Sequence, residues 1–325
     1  MSFRNMHIIS VLFICLTSVL ITKAYSTSSN DTEAENITMN ERSNAQNLTF
    51  NNESKIKIVA SFYPIYEFVK KVGADKVDVS TLIPVGIEPH DFEPTIQQIQ
   101  DAETADVVIF NGAGLEEWIN RINTKQIVDA SNGTKLVLTN NPNEQRANYE
   151  PHIWLDPIMA EIEVKNIRDA LIRVDPKNSQ YYTDNAESFI RDLSTLDRQI
   201  RTSLSSCSKD DFIAFHNAFT YFADRYGLKQ HSIKGPSPEG EILPQRLAEV
   251  ISLAKNLGLS IIYSEDLVDP RSAEIIAQEI PNGRVLVLSP IEGISKQDQK
   301  EGTDYLYKMR QNLKNLMEGL DCKTN

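Results

Sequence analysis

Residues 181–204, YYTDNAESFIRDLSTLDRQIRTSL, decide the architecture. Tyr181, Phe189, Leu193, Leu196, Ile200 and Leu204 fall at intervals of three, four or their sums, so they line one face of a helix. That helix runs for more than about twenty residues, well beyond the average globular helix. Working outward, residues 158–206 read as helix almost throughout, with Asp175-Pro176 as punctuation. On both sides of this segment the pattern changes to short apolar runs alternating with helical ones. Before it come strands at Ile56–Ala60, Val77–Ile83, Ala105–Phe110 and Lys135–Leu138, with helical stretches at 65–72, Thr95–Thr104 and Leu115–Ile122. After it come strands in FIAF (212–215), HSIK (231–234), SIIYS (260–264) and RVLVL (284–288). The helices there are Ala218–Tyr226, Pro244–Leu257, Arg271–Gln278 and Asp304–Leu320. Strand alternating with helix through short connections is the pattern of a parallel sheet covered on both faces. The fold class is therefore α/β: two lobes, each with a mostly parallel sheet flanked by helices, joined by one long helix.

The ends of the chain are read differently. Arg4 precedes an apolar run from Met6 to Ile21, followed by Thr22-Lys23-Ala24, the layout of an export signal or an N-terminal membrane anchor over 1–24. Cys15 lies within that run, behind the bulky Ile14, which makes a poor lipobox. Residues 25–54 are rich in Asn, Ser and Thr with no apolar period, so they cannot bury enough surface to offset their ordering entropy and form a disordered linker. Sequons at Asn30, Asn36, Asn47 and Asn52, with another at Asn132, suggest a glycosylated stalk at a cell surface. The expected organisation is then 55–177 as the N-terminal lobe, 178–206 as the linking helix and 207–325 as the C-terminal lobe. In an oxidising compartment Cys207 and Cys322 could pair or stay free; spacing alone leaves both open. A formal net charge of −12 repels phosphates and argues against nucleic acid as a partner.

Five histidines occur in the chain. His7 lies in the export segment and His231 reads as a plain structural residue. The other three share one setting. His90 (GIEPHDFEP) lies beyond the strand ending at Ile83, His152 (YEPHIWLDP) follows the one expected at Lys135–Leu138, and His216 closes FIAF. In open parallel sheets, ligands bind where loops converge beyond the carboxyl ends of strands. Imidazole is a favoured donor to Zn²⁺ and similar ions. The intervals between the three match no zinc finger or HExxH motif, so the cluster competes with the reading of three ordinary polar residues. Asp91 and Asp156 could orient these imidazoles or cap helices, and Glu265 reads more readily as an ion-pair partner of Arg271. Trp118 and Trp154 fit as packing anchors.

Several longer segments carry a resemblance. LIPVGIEPHDFEPTIQQIQDAETADVVIFNGAGLEEWI (82–119), EPHIWLDP (150–157), FIAFHNAFTYFADRYGL (212–228), LSPIEG (288–293) and DYLYKMRQNLKNL (304–316) resemble, in order, the motifs of the zinc/manganese substrate-binding proteins of ABC importers. The likeness covers residues 55–320. It implies two lobes bridged by a rigid helix, a divalent metal held in the cleft between them, and His90, His152 and His216 as its ligands. It also implies a protein that loads a permease driven by a separate ATPase; together with the N-terminal segment, the expectation is an extracytoplasmic monomer at the outer face of the membrane, anchored or secreted. Manganese-selective members often place a carboxylate third and an Asp fourth, whereas here His216 is third and Ser289 stands at the fourth position. The fourth ligand is then water, Glu265, Glu239 or Ser289. Nitrogen donors favour Zn²⁺ over Mn²⁺ or Fe²⁺. The His-rich loop of many zinc-type members is missing from TNNPNEQRANYE (139–150). Competing readings are a surface adhesin with a structural metal and a zinc hydrolase, the latter lacking any motif that supplies a general base.

Overall fold

The computed structural model describes residues 54–139 and 149–323. The export segment with Cys15, the linker up to Glu53 and the sequons at Asn30, Asn36, Asn47 and Asn52 lie outside the described residues. Of the sequons, Asn132 lies inside them, on an exposed turn.

Two four-stranded, wholly parallel sheets form the frame. The first holds β1 (Ile56–Ala60), β2 (Val77–Thr81), β3 (Val107–Phe110) and β4 (Ile127–Asp129) in the order β2-β1-β3-β4. Between these strands run α1 (Tyr63–Gly73) and α2 (Ile96–Glu103). Helices α3 (Pro157–Val174) and α4 (Ser179–Leu204) follow, separated by a short turn at Pro176–Asn178. The second sheet holds β5 (Asp211–Ala214), β6 (Lys229–Ser232), β7 (Ile261–Ser264) and β8 (Arg284–Val287) in the order β6-β5-β7-β8, the same winding as the first. Its helices are α5 (Thr220–Tyr226), α6 (Pro244–Leu257), α7 (Arg271–Gln278), α8 (Lys296–Glu301) and α9 (Tyr305–Gly319).

Strand alternation explains how the second sheet is covered on both sides. Phe212, Ala214, Ile261 and Tyr263 join the large core that also contains α1, α3, α4 and α9. Ile213, Phe215 and Ile262 point the other way, onto Val250 and Ala254 of α6 and Ala273 and Ile276 of α7. The large core is continuous between the lobes. Phe68 of α1 meets Tyr305 of α9 edge-on, with ring centroids 5.0 Å apart.

Helix α4 buries Tyr182, Ala186, Phe189, Leu193, Leu196, Ile200 and Leu204. The stripe therefore starts at Tyr182 rather than Tyr181, whose hydroxyl turns outward to Asp75. Ala186 supplies the missing step, and the spacing becomes an unbroken series of threes and fours. The helix packs on α1 and α3 at one end and on α5 and α9 at the other.

Three local expectations fail. Lys135–Leu138 is not a strand; Leu138 makes one isolated bridge to Tyr149, and Val137 and Leu138 remain 42% and 53% exposed. The sheet edge expected for them is taken by the shorter Ile127–Asp129, which pairs with Val108–Phe110. Leu115–Ile122 forms only a 3₁₀ turn at Glu117–Arg121. Helix α8 was not expected because it has no apolar stripe; Ser295 and Asp298 form a capping box at its start, and Gly302 ends it with φ 69°. Trp118 and Trp154 are buried anchors, as expected.

Cys207, just beyond α4, is bonded to Cys322, just beyond α9. The bridge closes 115 residues of chain and fastens the last helix to the end of the linking helix. Loop-closure entropy for a ring of that length predicts that replacing both cysteines by serine lowers stability by about 4–5 kcal/mol. Urea denaturation of wild type and double variant under non-reducing conditions measures the difference.

Candidate metal centre

Each residue of the centre lies in a connection that follows a parallel strand, the kind of place where ligands bind in open α/β sheets. His90 follows β2, His152 follows the β4 side of the first sheet, His216 follows β5, and Glu292 follows β8. Two of the turns share a sequence, Glu-Pro-His, at 88–90 and 150–152. Proline fixes the middle φ, and the glutamate carboxylate folds back on the histidine two residues later. Glu88 accepts the His90 backbone N–H at 3.1 and 3.0 Å. Glu150 accepts the His152 N–H at 3.1 Å and also bonds its Nδ1. His216 receives the same support from another segment: Glu265, directly after β7, lies 3.0 Å from its backbone N and 2.7 Å from its Nδ1. Glu292 is delivered by a strained turn in which Ile291 has φ 57°, unusual for a β-branched residue.

The four side chains converge. His152 Nε2 lies 3.1 Å from both His90 Nε2 and His216 Nε2. Glu292 Oε1 lies 2.9, 2.7 and 3.4 Å from the Nε2 atoms of His90, His152 and His216. Donors at the corners of a tetrahedron with bonds of about 2.0 Å are separated by about 3.3 Å; five of the distances here lie near that value, and all four donor atoms lie within 4.8 Å of one another, close enough to share one small ion. His152, His216 and Glu292 are buried, while His90 keeps about a tenth of its side chain exposed. Beside His90 opens a cavity of about 140 Å³ that reaches the surface past Gly114, Tyr149 and Pro236.

The carboxylates behind the imidazoles determine what they offer. Whenever these rings are neutral, Glu150 and Glu265 accepting from Nδ1 keep the single proton there, and the Nε2 lone pair is the one left on the side of the common point. Burial alone would depress the basicity of His152, but Glu150 and then Glu292 outweigh it and push the group up to about 9. Burial opposes protonation of His216 too, and Glu265 and Glu292 again override it, holding its pKa well above the usual range. Burial would raise Glu292, yet His216, His90 and His152 hold its carboxyl well below normal. Three ring nitrogens and a carboxylate meeting this closely demand positive charge among them, from protons or from a metal.

His90, His152 and His216 thus come together, as the sequence suggests, and the fourth side chain at their meeting point, Glu292, is one that the sequence alone does not single out. Ser289 is turned away: its hydroxyl accepts the Ile291 N–H at 3.2 Å. Glu239 is exposed. Glu265 supports His216 from the Nδ1 side and does not pair with Arg271, which binds Asp269 instead. Asp156 caps α3, accepting from the Ile158 and Met159 N–H groups, and pairs with Arg225, while Asp91 is exposed. The signal for Glu292 was a single carboxylate at the end of the apolar run VLVLSPIEGI, where only a partnered charge can be buried. His231 bonds Asp211 at 2.7 Å and is structural.

Known proteins share this fold. A high-affinity zinc uptake system protein ZnuA from Bacillus subtilis (strain 168) is 36% identical over 285 residues, covering 83% of this chain and 89% of the relative. A zinc-binding protein AdcA from Streptococcus pyogenes serotype M18 is 34% identical over 288 residues, covering 81% of this chain; the match spans 56% of that longer relative. The crystal structure of the Zn(II)-bound ZnuA-like domain of Streptococcus pneumoniae AdcA superposes with a TM-score of 0.73 at 32% identity, over 82% of this chain and all of that one. Residues 58–319 match the sequence profile of one family across both lobes and every residue of the centre. The chain belongs to that family, described as zinc-uptake complex component A, periplasmic.

Proposed function

We propose that this protein is the extracytoplasmic solute-binding component of a zinc importer, and that His90, His152, His216 and Glu292 together hold the transported ion. The observation that carries the reading is the meeting of three Nε2 atoms and one Oε1, all within 4.8 Å of one another and mostly buried. Three nitrogens and a single oxygen favour Zn²⁺ over the oxygen-seeking Mn²⁺. Four protein donors also speak against a hydrolase, because a catalytic zinc keeps one position open for water or substrate. The ion is cargo: it reaches the centre past His90 and is passed to a membrane permease powered by a separate ATPase. Residues 1–24 direct the chain across the membrane and either are removed or stay as its anchor, and the protein works as a monomer.

Elemental analysis and competition titration test this reading. One zinc per chain is expected, with Mn²⁺ displaced readily by Zn²⁺. His152→Ala and Glu292→Ala should each lose more affinity than the about 10- to 100-fold typical of an outer partner, while Ser289→Ala should change little. Stoichiometric zinc retained at wild-type affinity by both His152→Ala and Glu292→Ala would sink the assignment. A separate expectation concerns the supporting carboxylates. Glu265→Ala frees the His216 ring and should weaken zinc binding by about 10- to 100-fold without abolishing it, read in the same titration.

A further inference from the structure

Helix α9 carries three polar residues on its buried face: Tyr305, Lys308 and Asn312, spaced by three and four. A helix that merely covered a sheet would do better with apolar residues there, since buried polar groups contribute little unless each finds its partner. Each of these does, and each has at least one partner on a segment that adjoins a residue of the metal centre.

Tyr305 donates its hydroxyl to the Trp154 carbonyl at 2.5 Å, two residues beyond His152. The indole of Trp154 in turn donates to the Pro290 carbonyl at 2.8 Å, joining the His152 turn to the Glu292 turn. Lys308 bridges Asp266 and Asp298, both at 3.0 Å, and Asp266 directly follows Glu265, the carboxylate behind His216. Asn312 grips Ser289 at both backbone groups: its Oδ1 accepts the N–H at 2.8 Å and its Nδ2 donates to the carbonyl at 2.6 Å. Ser289 then accepts from Ile291, whose left-handed conformation points Glu292 inward.

We propose that α9 is the positioning element of the centre: Tyr305, Lys308 and Asn312 fix the spacing of the His152, His216 and Glu292 turns and thereby set the affinity for the ion. This rests on the reading above, that these side chains are ligands. The three residues touch no donor atom; they act through the turns. Donor atoms held at the tetrahedral spacing keep that geometry only while the turns stay in register, and a loss of register lengthens bonds to the ion without removing any ligand.

The experiment compares wild type with Tyr305→Phe, Asn312→Ala and Lys308→Met, and with Leu316→Ala as a variant that damages the same helix in its apolar core. Zinc affinity is read by competition titration and donor geometry by the visible absorption of the Co²⁺-loaded protein, both well below each melting temperature. Tyr305→Phe and Asn312→Ala should each weaken zinc by about tenfold or more and alter the Co²⁺ spectrum. Leu316→Ala should melt earlier yet bind within about twofold of wild type with the wild-type spectrum. Tyr305→Phe removes one hydroxyl and keeps the ring, so it stays informative if Asn312→Ala or Lys308→Met does not fold. Folded Tyr305→Phe with wild-type affinity and an unchanged Co²⁺ spectrum overturns the proposal. Failure of the wild type itself to bind zinc overturns the ligand assignment beneath it, a distinct result.

Discussion

The bonds from Glu150 to His152 and from Glu265 to His216 are the constraint on which the centre depends. An imidazole can present either nitrogen, and a buried carboxylate on the Nδ1 side removes the choice by accepting a hydrogen bond from the proton held there. Both rings are then locked in orientation with Nε2 turned inward. Without those carboxylates the rings would be free to rotate, and their lone pairs would not share a focus. Glu150 and Glu265 themselves survive burial because each receives a backbone N–H as well as a ring N–H. The centre is thus built from the outside inward: carboxylates fix rings, and rings define the space.

The fold supplies the rest of that precision. Two identically wound parallel sheets bring the ends of β2, β5 and β8 to one region, so residues far apart in the chain need only short turns to meet. Interlobe bonds keep those turns aligned. Trp154 reaches the Pro290 carbonyl, Tyr221 reaches the Glu150 carbonyl at 2.8 Å, and Arg225 pairs with Asp156. Each links the His152 side of the first lobe to the second.

Most of the fold was legible because its signals are periodic. Helices α6 and α7 have the bounds their sequence predicts, and the buried stripe of α4 starts one residue later than the large apolar residues alone indicate, because the small Ala186 is part of it. Short edge elements were the weak point. Ile127–Asp129 is three residues long with only Val128 buried, while Lys135–Leu138 has the composition of a strand but pairs only through the isolated Leu138–Tyr149 bridge. The centre divided in the same way. Histidines were visible because only five occur, whereas Glu292 is one of 45 acidic residues and scarcity could not single it out. The sequence offers Asp91 and Asp156, which follow their histidines, as supporting carboxylates. Two of the supports in the structure lie behind instead, in the repeated Glu-Pro-His, where the proline turn folds the chain back on itself.

The continuous core has a consequence for how such a carrier is unloaded. Phe62 packs on Trp154, and Phe68 on Tyr305, inside an apolar mass that includes residues from both sheets. Prising the halves apart would wet that whole interior, a far larger free-energy cost than displacing one turn. The cheaper opening is at the rim, where the partly exposed imidazole of His90 borders a cavity, because widening that corner leaves the shared apolar interior dry.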